Sequence, residues 1–343
     1  MIVRGDNFYM KSLPFSILRL LSDGKFHSGE AMAQHLGISR ASIWNAVQAI
    51  EEMGVNLYKV RGRGYCLPEP MQFLDKQKIL AELGDKSTLF ELELQDVLES
   101  TNSTLMQAAS LGAPHGSCLA AELQRQGRGR RGRTWHASLG GALTFSVLWR
   151  FNQGAGYLSG LSLAVGVALM RALAVANIAG VALKWPNDVL HNYRKLAGVL
   201  IELQGEALGP SAAIIGIGLN LRLPDKVKDQ IDQAVVDIDT ISAVVPDRNR
   251  LFAQILLQLA DVLHQFEAGG FAALREEWLR YHVYQDKPVS ILLPNGTREV
   301  GQVVGVSDDG SLLVRTPNEI QQYASGEISL RGVTAEALVQ GAA

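Results

Sequence analysis

At 343 residues and a formal net charge of -2, the chain is long enough for two or three domains and is not basic throughout. No apolar run approaches the ~20 residues of a membrane span. The opening MIVRGDNFYMK also lacks the apolar centre of a signal peptide, so a soluble cytoplasmic protein with no membrane partner is expected. Cys66 and Cys118 are the only cysteines, and the seven histidines are scattered without an H-E-x-x-H pattern, which argues against a disulfide framework or a zinc site.

Residues 1–67 read as helix, helix, turn, helix, hairpin. Ile17, Leu18, Leu20 and Leu21 mark a helix that ends at Asp23-Gly24. Ser28 caps a second, through Ala31, Ala33 and Leu36, which stops at Gly37. Ser39 caps a third, in which Ile43, Val47 and Ile50 follow helical spacing and Gly54 supplies the stop. Ala33, Gly37 and Ile43 sit where a helix-turn-helix needs a small residue, a tight turn and a packing anchor. Two short strands around Arg61-Gly62-Arg63-Gly64 then form the wing of a winged helix-turn-helix. Residues 1–70 hold eight Lys/Arg against six Asp/Glu, a slight excess in keeping with a nucleic-acid face. Ser39 and Arg40 open the helix that would meet base edges, and Arg61 and Arg63 suit a phosphate backbone. Trp44, Asn45 and Ala46 add no charge, so no sequence preference can be read. A small helical domain docked on its own protein is the alternative.

Pro68-Glu69-Pro70 reads as a linker. From 71 to 283, β-rich stretches at 89–97, 117–123, 142–149, 181–185, 196–203 and 212–221 alternate with helices. Several connections are too short for crossover helices, and 191–195 is a hairpin. A mixed, largely antiparallel α+β sheet is predicted, with a long apolar helix over 157–178 packed on it. Helix continues over about 248–282. Residues 284–333 form short strands broken at Pro294-Asn295-Gly296 and Asp308-Asp309-Gly310, a small β-barrel.

The densest chemical signal is Gly127-Arg128-Gly129-Arg130-Arg131-Gly132-Arg133-Thr134. It satisfies G-x-G-x-x-G and nearly satisfies the P-loop pattern, but both require a helix after the loop. Here Trp135 leads through Gly140-Gly141 into a strand. The glycines permit close backbone approach and the four arginines suit anionic oxygens, so a loop ordered by a phosphate-bearing ligand is expected. A run of arginines is otherwise a solvated basic patch.

Together with Glu122-Leu123-Gln124, Lys184-Trp185-Pro186-Asn187-Asp188 and Lys195-Leu196-Ala197-Gly198, this loop resembles the signature set of biotin–protein ligases. With the winged helix in front and the barrel behind, the chain resembles the bifunctional biotin operon repressor type from about residue 15 to 332. The resemblance implies a central ligase domain of the class II aminoacyl-tRNA-synthetase-like kind and an SH3-like C-terminal β-barrel. It also implies biotin contacts at Ser100, Thr101, Asn102, Gln124, Gly127, Arg128, Gly129, Arg130 and Lys195. Hydroxyl and amide groups suit a ureido ring, although Ser100 and Thr101 also fit a helix N-cap. Lys195, Arg128 and Arg130 are the implied catalytic cations. Arg130, Arg131, Arg133, Asn187, Asp188 and Asn220 are implied ATP or adenylate contacts, Asp188 through Mg2+ or else as a turn cap.

The implied reaction forms biotinyl-5'-AMP from biotin and ATP and passes biotin to an acceptor lysine on the biotin carboxyl carrier protein of acetyl-CoA carboxylase. The implied adenylate-bound state is a homodimer that represses transcription at operator DNA. A lipoate ligase and a regulator without catalysis are the rivals. Cys118, within an apolar strand, is assigned no role.

Overall fold

A computed structural model describes residues 13–205, 209–293, 296–324 and 329–332. Residues 1–12 and 333 of the predicted three-domain layout, and the turn expected at Pro294-Asn295, lie outside them.

The N-terminal unit is built as its caps dictate. Helices α1 (Leu13–Leu21), α2 (Gly29–Leu36) and α3 (Arg40–Glu52) close over buried Phe15, Ile17, Leu18, Ile43, Val47 and Ile50. The hydroxyls of Ser28 and Ser39 accept the amides of Ala31 and Ser42, each at 3.0 Å. Strands β1 (Tyr58–Val60) and β2 (Gly64–Cys66) pair antiparallel around the Arg61-Gly62-Arg63 tip, forming the wing.

The stretch directly after the Pro68-Glu69-Pro70 linker is tied down on both sides. Met71 N donates to Ser22 O at 3.0 Å, and Leu74 N to the Glu122 carboxylate at 2.6 Å. The apolar cluster of the N-terminal unit takes in Leu139 and packs on Phe73, Val97 and Leu123. Arg19 pairs with Asp96 at 2.5 Å. Apolar residues directly after the prolines draw the unit onto the central domain, so the two cores touch rather than merely neighbour each other.

After α4 (Lys76–Leu83), the central domain runs β3 (Glu91–Leu98), α5 (Thr101–Ser110), β4 (Ser117–Gln124), β5 (Ala142–Phe151), α6 (Leu161–Val175), β6 (Val181–Lys184), β7 (Asp188–His191), β8 (Arg194–Gly205) and β9 (Ser211–Asn220). Short α7 (Asp225–Lys228) and α8 (Ile238–Ile241) precede the long α9 (Arg248–Gly269) and α10 (Arg275–Tyr281). The seven strands lie in the order β3-β4-β5-β9-β8-β7-β6. Only β3 and β4 pair in parallel, the crossover that α5 provides; the other pairs are antiparallel. Helix α6 is shorter than the predicted 157–178, because Gly160 (φ 78°) separates it from a 3-10 turn and Asn177 (φ 58°) ends the run.

The period-2 alternation of the strands sorts the two sheet faces. Phe145, Val147, Ile215, Ile217, Leu219 and Val199 join α6 and α9 in one large core. Thr144, Ser146, Gly198, Gly216 and Gly218 alternate with them and so face the other way, the side on which α5 lies. That face is small and polar, and it floors the site. The C-terminal strands β10 (Pro288–Leu292), β11 (Arg298–Val306), β12 (Leu312–Arg315), β13 (Ile320–Tyr323) and β14 (Ser329–Gly332) form an antiparallel sheet in the order β13-β12-β11-β10-β14.

Candidate active site

A cleft of about 350 Å³ opens on the small-residue face of the sheet, between the start of α5, the arginine–glycine loop and the hairpin of β7 and β8. Its floor depends on missing side chains. A Cβ on Gly216 would collide with the Asn102 amide, and one on Gly218 with the Trp135 indole.

At one end lies a hydrogen-bonded set around the N-terminus of α5. Ser100 caps the helix, and the Gln124 side-chain oxygen accepts from Thr101 N at 2.7 Å and from its hydroxyl at 3.1 Å. Buried Ser146 donates to Asn102 Oδ1 at 2.6 Å, while Asn102 Nδ2 donates to Glu202 at 3.0 Å. Glu202 also grips Arg128 at 2.8 Å, and Arg128 reaches Ser103 at 3.2 Å. Arg128 therefore stands with the amide and hydroxyl groups at this end.

The opposite end gathers charge. Lys195 Nζ stands 2.7 Å from Asp188 Oδ1, an ion pair although not aligned as a hydrogen bond, with both side chains 14% exposed. The hairpin tip Asn192-Tyr193 turns through two positive φ angles (49° and 60°). A β-bulge between Val189 and Leu190 follows, opposite residues 195–197, and this re-aims the strand beside the cleft. The backbone of Lys195 is held from its other edge as well: its amide donates to Ala234 O, and Val236 N donates to Lys195 O, both at 2.9 Å. Asn220 Nδ2 secures the same segment by donating to Val236 O at 3.1 Å. Arg130 donates to Asn187 Oδ1 at 3.2 Å, and Asn187 Nδ2 in turn to Val199 O at 2.8 Å. Burial, with Arg131 close by, pulls the Arg130 guanidinium below its usual pKa.

Residues 127–134 fold as a narrow hairpin. Trp135 N donates to Gly127 O at 2.8 Å, Gly129 N to Arg133 O at 2.6 Å, and Arg131 takes a left-handed φ of 57°. The hairpin leaves its arginines along the cleft rim, and Trp135 beneath it faces Lys195, whose Nζ lies 5.7 Å from the ring centre. Trp135 Nε1 is buried with no hydrogen-bond partner among the described residues. An unmet donor in a polar cleft marks where a ligand acceptor fits.

Family comparisons match this layout segment by segment. Residues 15–66 match the helix-turn-helix domain model, 94–220 the biotin/lipoate A/B protein ligase family, and 286–331 the C-terminal domain of biotin protein ligases. The chain is 35% identical to the bifunctional ligase/repressor BirA of Salmonella typhimurium, over 93% of this chain and 98% of that one. The chain belongs to the BirA family of bifunctional ligase/repressors. It is also 35% identical to a biotin–[acetyl-CoA-carboxylase] ligase of Paracoccus denitrificans, over 69% of this chain and all of that one. Among solved structures, a biotin protein ligase from Aquifex aeolicus in complex with biotin and ATP superposes with a TM-score of 0.60 at 29% identity, covering 70% of this chain and 98% of that one.

Against the BirA-type expectations, the fold brings Ser100, Thr101, Asn102, Gln124, Arg128, Gly129, Arg130, Arg133, Asn187, Asp188, Lys195 and Asn220 to one cleft. Arg130, Arg131 and Arg133 also border a second hollow beside Asn187, Asp188 and Lys195. Gly127 packs against Trp135 instead of lining the cleft. The expected catalytic trio is divided, since Arg128 pairs with Glu202 while Arg130 joins Asn187 near Lys195. Ser39 spends its hydroxyl on the α3 cap, and Arg40 and Arg61 are exposed on a separate surface. Sequence reasoning missed Trp135, Ser146, Glu202, Gly216, Gly218 and the wall at 230–235. The alternation Ile215-Gly216-Ile217-Gly218-Leu219 was the available signal for the floor. Glu122, beside Gln124 in the signature, does not line the cleft: it is buried against Arg248 at 2.9 Å and holds the linker. Cys118 is buried, and that burial raises its thiol pKa far above the usual range, so it is no nucleophile. No described helix is long and apolar enough to cross a membrane.

Proposed function

We propose that this chain joins biotin to an acceptor lysine by way of biotinyl-5'-AMP, and that it binds operator DNA through the winged helix as an adenylate-promoted homodimer. The observation that carries the reading is the division of the cleft: hydroxyl and amide groups at one end, and a fenced Lys195 with Arg130 at the other. A ureido head and a phosphate demand those two chemistries.

At the first end, Gln124, Thr101, Ser100 and Asn102 form the cradle for the ureido ring, with Arg128 and the backbone of Gly129 closing over biotin. At the second, a biotin carboxylate oxygen attacks the α-phosphorus of ATP, and pyrophosphate leaves with the displaced bonding pair. Lys195 and Arg130 oppose the charge that grows on the phosphate oxygens, and Asp188 and Asn187 hold those two cations before the reaction begins. Arg131 and Arg133 on the hairpin and Asn220 on the floor contact the nucleotide side. The unpaired indole N–H of Trp135 lies on that path. The acceptor amine then attacks the anhydride carbonyl and AMP departs, while the hairpin keeps water out.

Among the described residues no three His, Cys, Asp or Glu side chains gather as a metal site. Asp188 would hold Mg2+ carried largely by the phosphates of ATP. Such an ion would supply positive charge to screen the departing pyrophosphate. The name of the Paracoccus relative, biotin–[acetyl-CoA-carboxylase] ligase, supports biotin as substrate and acetyl-CoA carboxylase as the source of the acceptor.

Incubation of the full chain with biotin, ATP, Mg2+ and an apo carrier domain should raise the carrier mass by one biotinyl group. Lipoate in place of biotin should leave it unchanged. Modification by lipoate alone, or no modification at all, overturns the reading.

A further inference from the structure

The outward face of α3 carries a feature that the reading above leaves without a role. Ile43, Ala46, Val47 and Ile50 are buried, but Trp44 between them points away and is 57% exposed. An indole left in water forgoes one of the largest burial gains any side chain offers. Arg40 lies one helical turn before it on the same face and is exposed too. Acidic residues collect at the far end of the helix, where Glu51 pairs with Lys59 at 2.7 Å. The helix thus runs from a capped, cationic start to an acidic end, so a polyanion is met by the half that holds Trp44. In the same unit the wing presents Arg61, with Arg63 stacked 4.1 Å over Phe26. On this helix face Arg40, Ala41 and Gln48 lie about one turn from Trp44, too little apolar surface along the helix for the core of a protein interface.

We propose that Trp44 reads sequence, packing its indole on the 5-methyl group of a thymine in the major groove, one turn along from Arg40. This rests on the N-terminal unit being the DNA-binding domain. The methyl of thymine is the apolar group that the major groove offers among its donors and acceptors, and a recognition helix presents its N-terminal half to those edges. An uncharged indole adds nothing to counterion release, so it sets sequence preference and not salt dependence.

The test uses the full chain with biotin and ATP to enrich a randomised duplex library, then replaces each thymine of the selected site by deoxyuridine. One thymine per half-site should weaken binding by about four-fold when its methyl is removed, the factor for burying one CH2-sized group. Trp44→Ala should bind the thymine and uracil versions equally, with its salt slope and its ligase rate unchanged. Trp44→Leu, which keeps an apolar contact, should retain part of the discrimination and so separates lost contact from a damaged helix. An equal methyl effect in the wild type and Trp44→Ala, or none at any thymine, overturns the proposal while leaving DNA binding intact. A wild-type protein that enriches no sequence overturns the DNA-binding reading together with it.

Discussion

The catalytic cleft and the winged helix both use cations, and they handle them in opposite ways. In the cleft each key cation has a partner on the protein: Lys195 has Asp188, Arg128 has Glu202, and Arg130 has Asn187. On the winged helix Arg40 and Arg61 stand in solvent, and no ion pair holds either among the described residues. A charge that must meet a transition state gains from being fixed beforehand, because no reorganisation is then needed as the reaction proceeds. A charge that meets a phosphodiester backbone gains from releasing counterions, which calls for exposure.

The sharpest break of that contrast is Lys195→Ala. Removing one preorganised donor costs roughly 10²–10³-fold in the chemical step. Adenylate formation measured by pyrophosphate release should fall by that order, while biotin affinity by calorimetry stays within a few-fold. A proportionate loss of biotin affinity would place Lys195 in ground-state binding instead.

A buried group with no counter-charge gives a third behaviour. His282, stacked on Trp278 at 4.5 Å where the central domain meets the C-terminal sheet, has no hydrogen-bond partner for either ring nitrogen among the described residues, and burial pushes its pKa down to about 3. A folded value below the unfolded one means that stability is full above about pH 6.5 and is lost as pH falls, by about 1.4 kcal/mol per unit until pH nears the folded value. Denaturant unfolding between pH 7 and 5 should show this slope in the wild type and lose it in His282→Phe. Equal slopes in the two proteins would exclude the ring as its source.

Gln124→Ala sharpens the comparison inside the cleft, since it removes a neutral group and not a charge. With the Gln124 oxygen taken by Thr101, its Nε2 is left to meet the ureido carbonyl, and leaving that buried acceptor unmet costs roughly 1–3 kcal/mol. The biotin dissociation constant should rise about ten-fold or more with kcat nearly unchanged. The smallest effect belongs to the winged helix. Arg61→Ala should weaken DNA binding by a few-fold for all sequences alike and flatten the salt slope by about one, as read from binding isotherms at several salt concentrations. A change in preferred sequence would move Arg61 onto base edges.

How much of this was legible in the sequence follows from how local each signal is. The caps Ser28 and Ser39, the wing glycines and the β7–β8 hairpin are short-range features, and each stands where the pattern puts it. The arginine–glycine hairpin was visible for the same reason, as was its lack of a following helix. Trp135, Glu202 and the wall at 230–235 were not, because only the pairing of distant strands gathers them. The Glu122–Arg248 lock joins residues 126 positions apart. The contact of the N-terminal core with Leu139, Val97 and Leu123 is hidden likewise: each of these reads locally as an ordinary apolar residue of its own element. That contact also means removing the N-terminal unit would expose apolar surface on the central domain.

Under the proposed function the two differently built regions are coupled through the adenylate, and DNA affinity reports on that coupling directly. Binding of the enriched duplex should be followed by anisotropy at one fixed salt concentration, with the protein alone, with biotin and ATP, and after adding excess apo carrier domain. Affinity should tighten by roughly 5–150-fold with biotin and ATP, the usual range of coupling between sites, and should fall back as the carrier consumes the adenylate. Equal affinity in all three conditions would contradict the claim and leave a ligase and a DNA-binding domain that share a chain without sharing a signal.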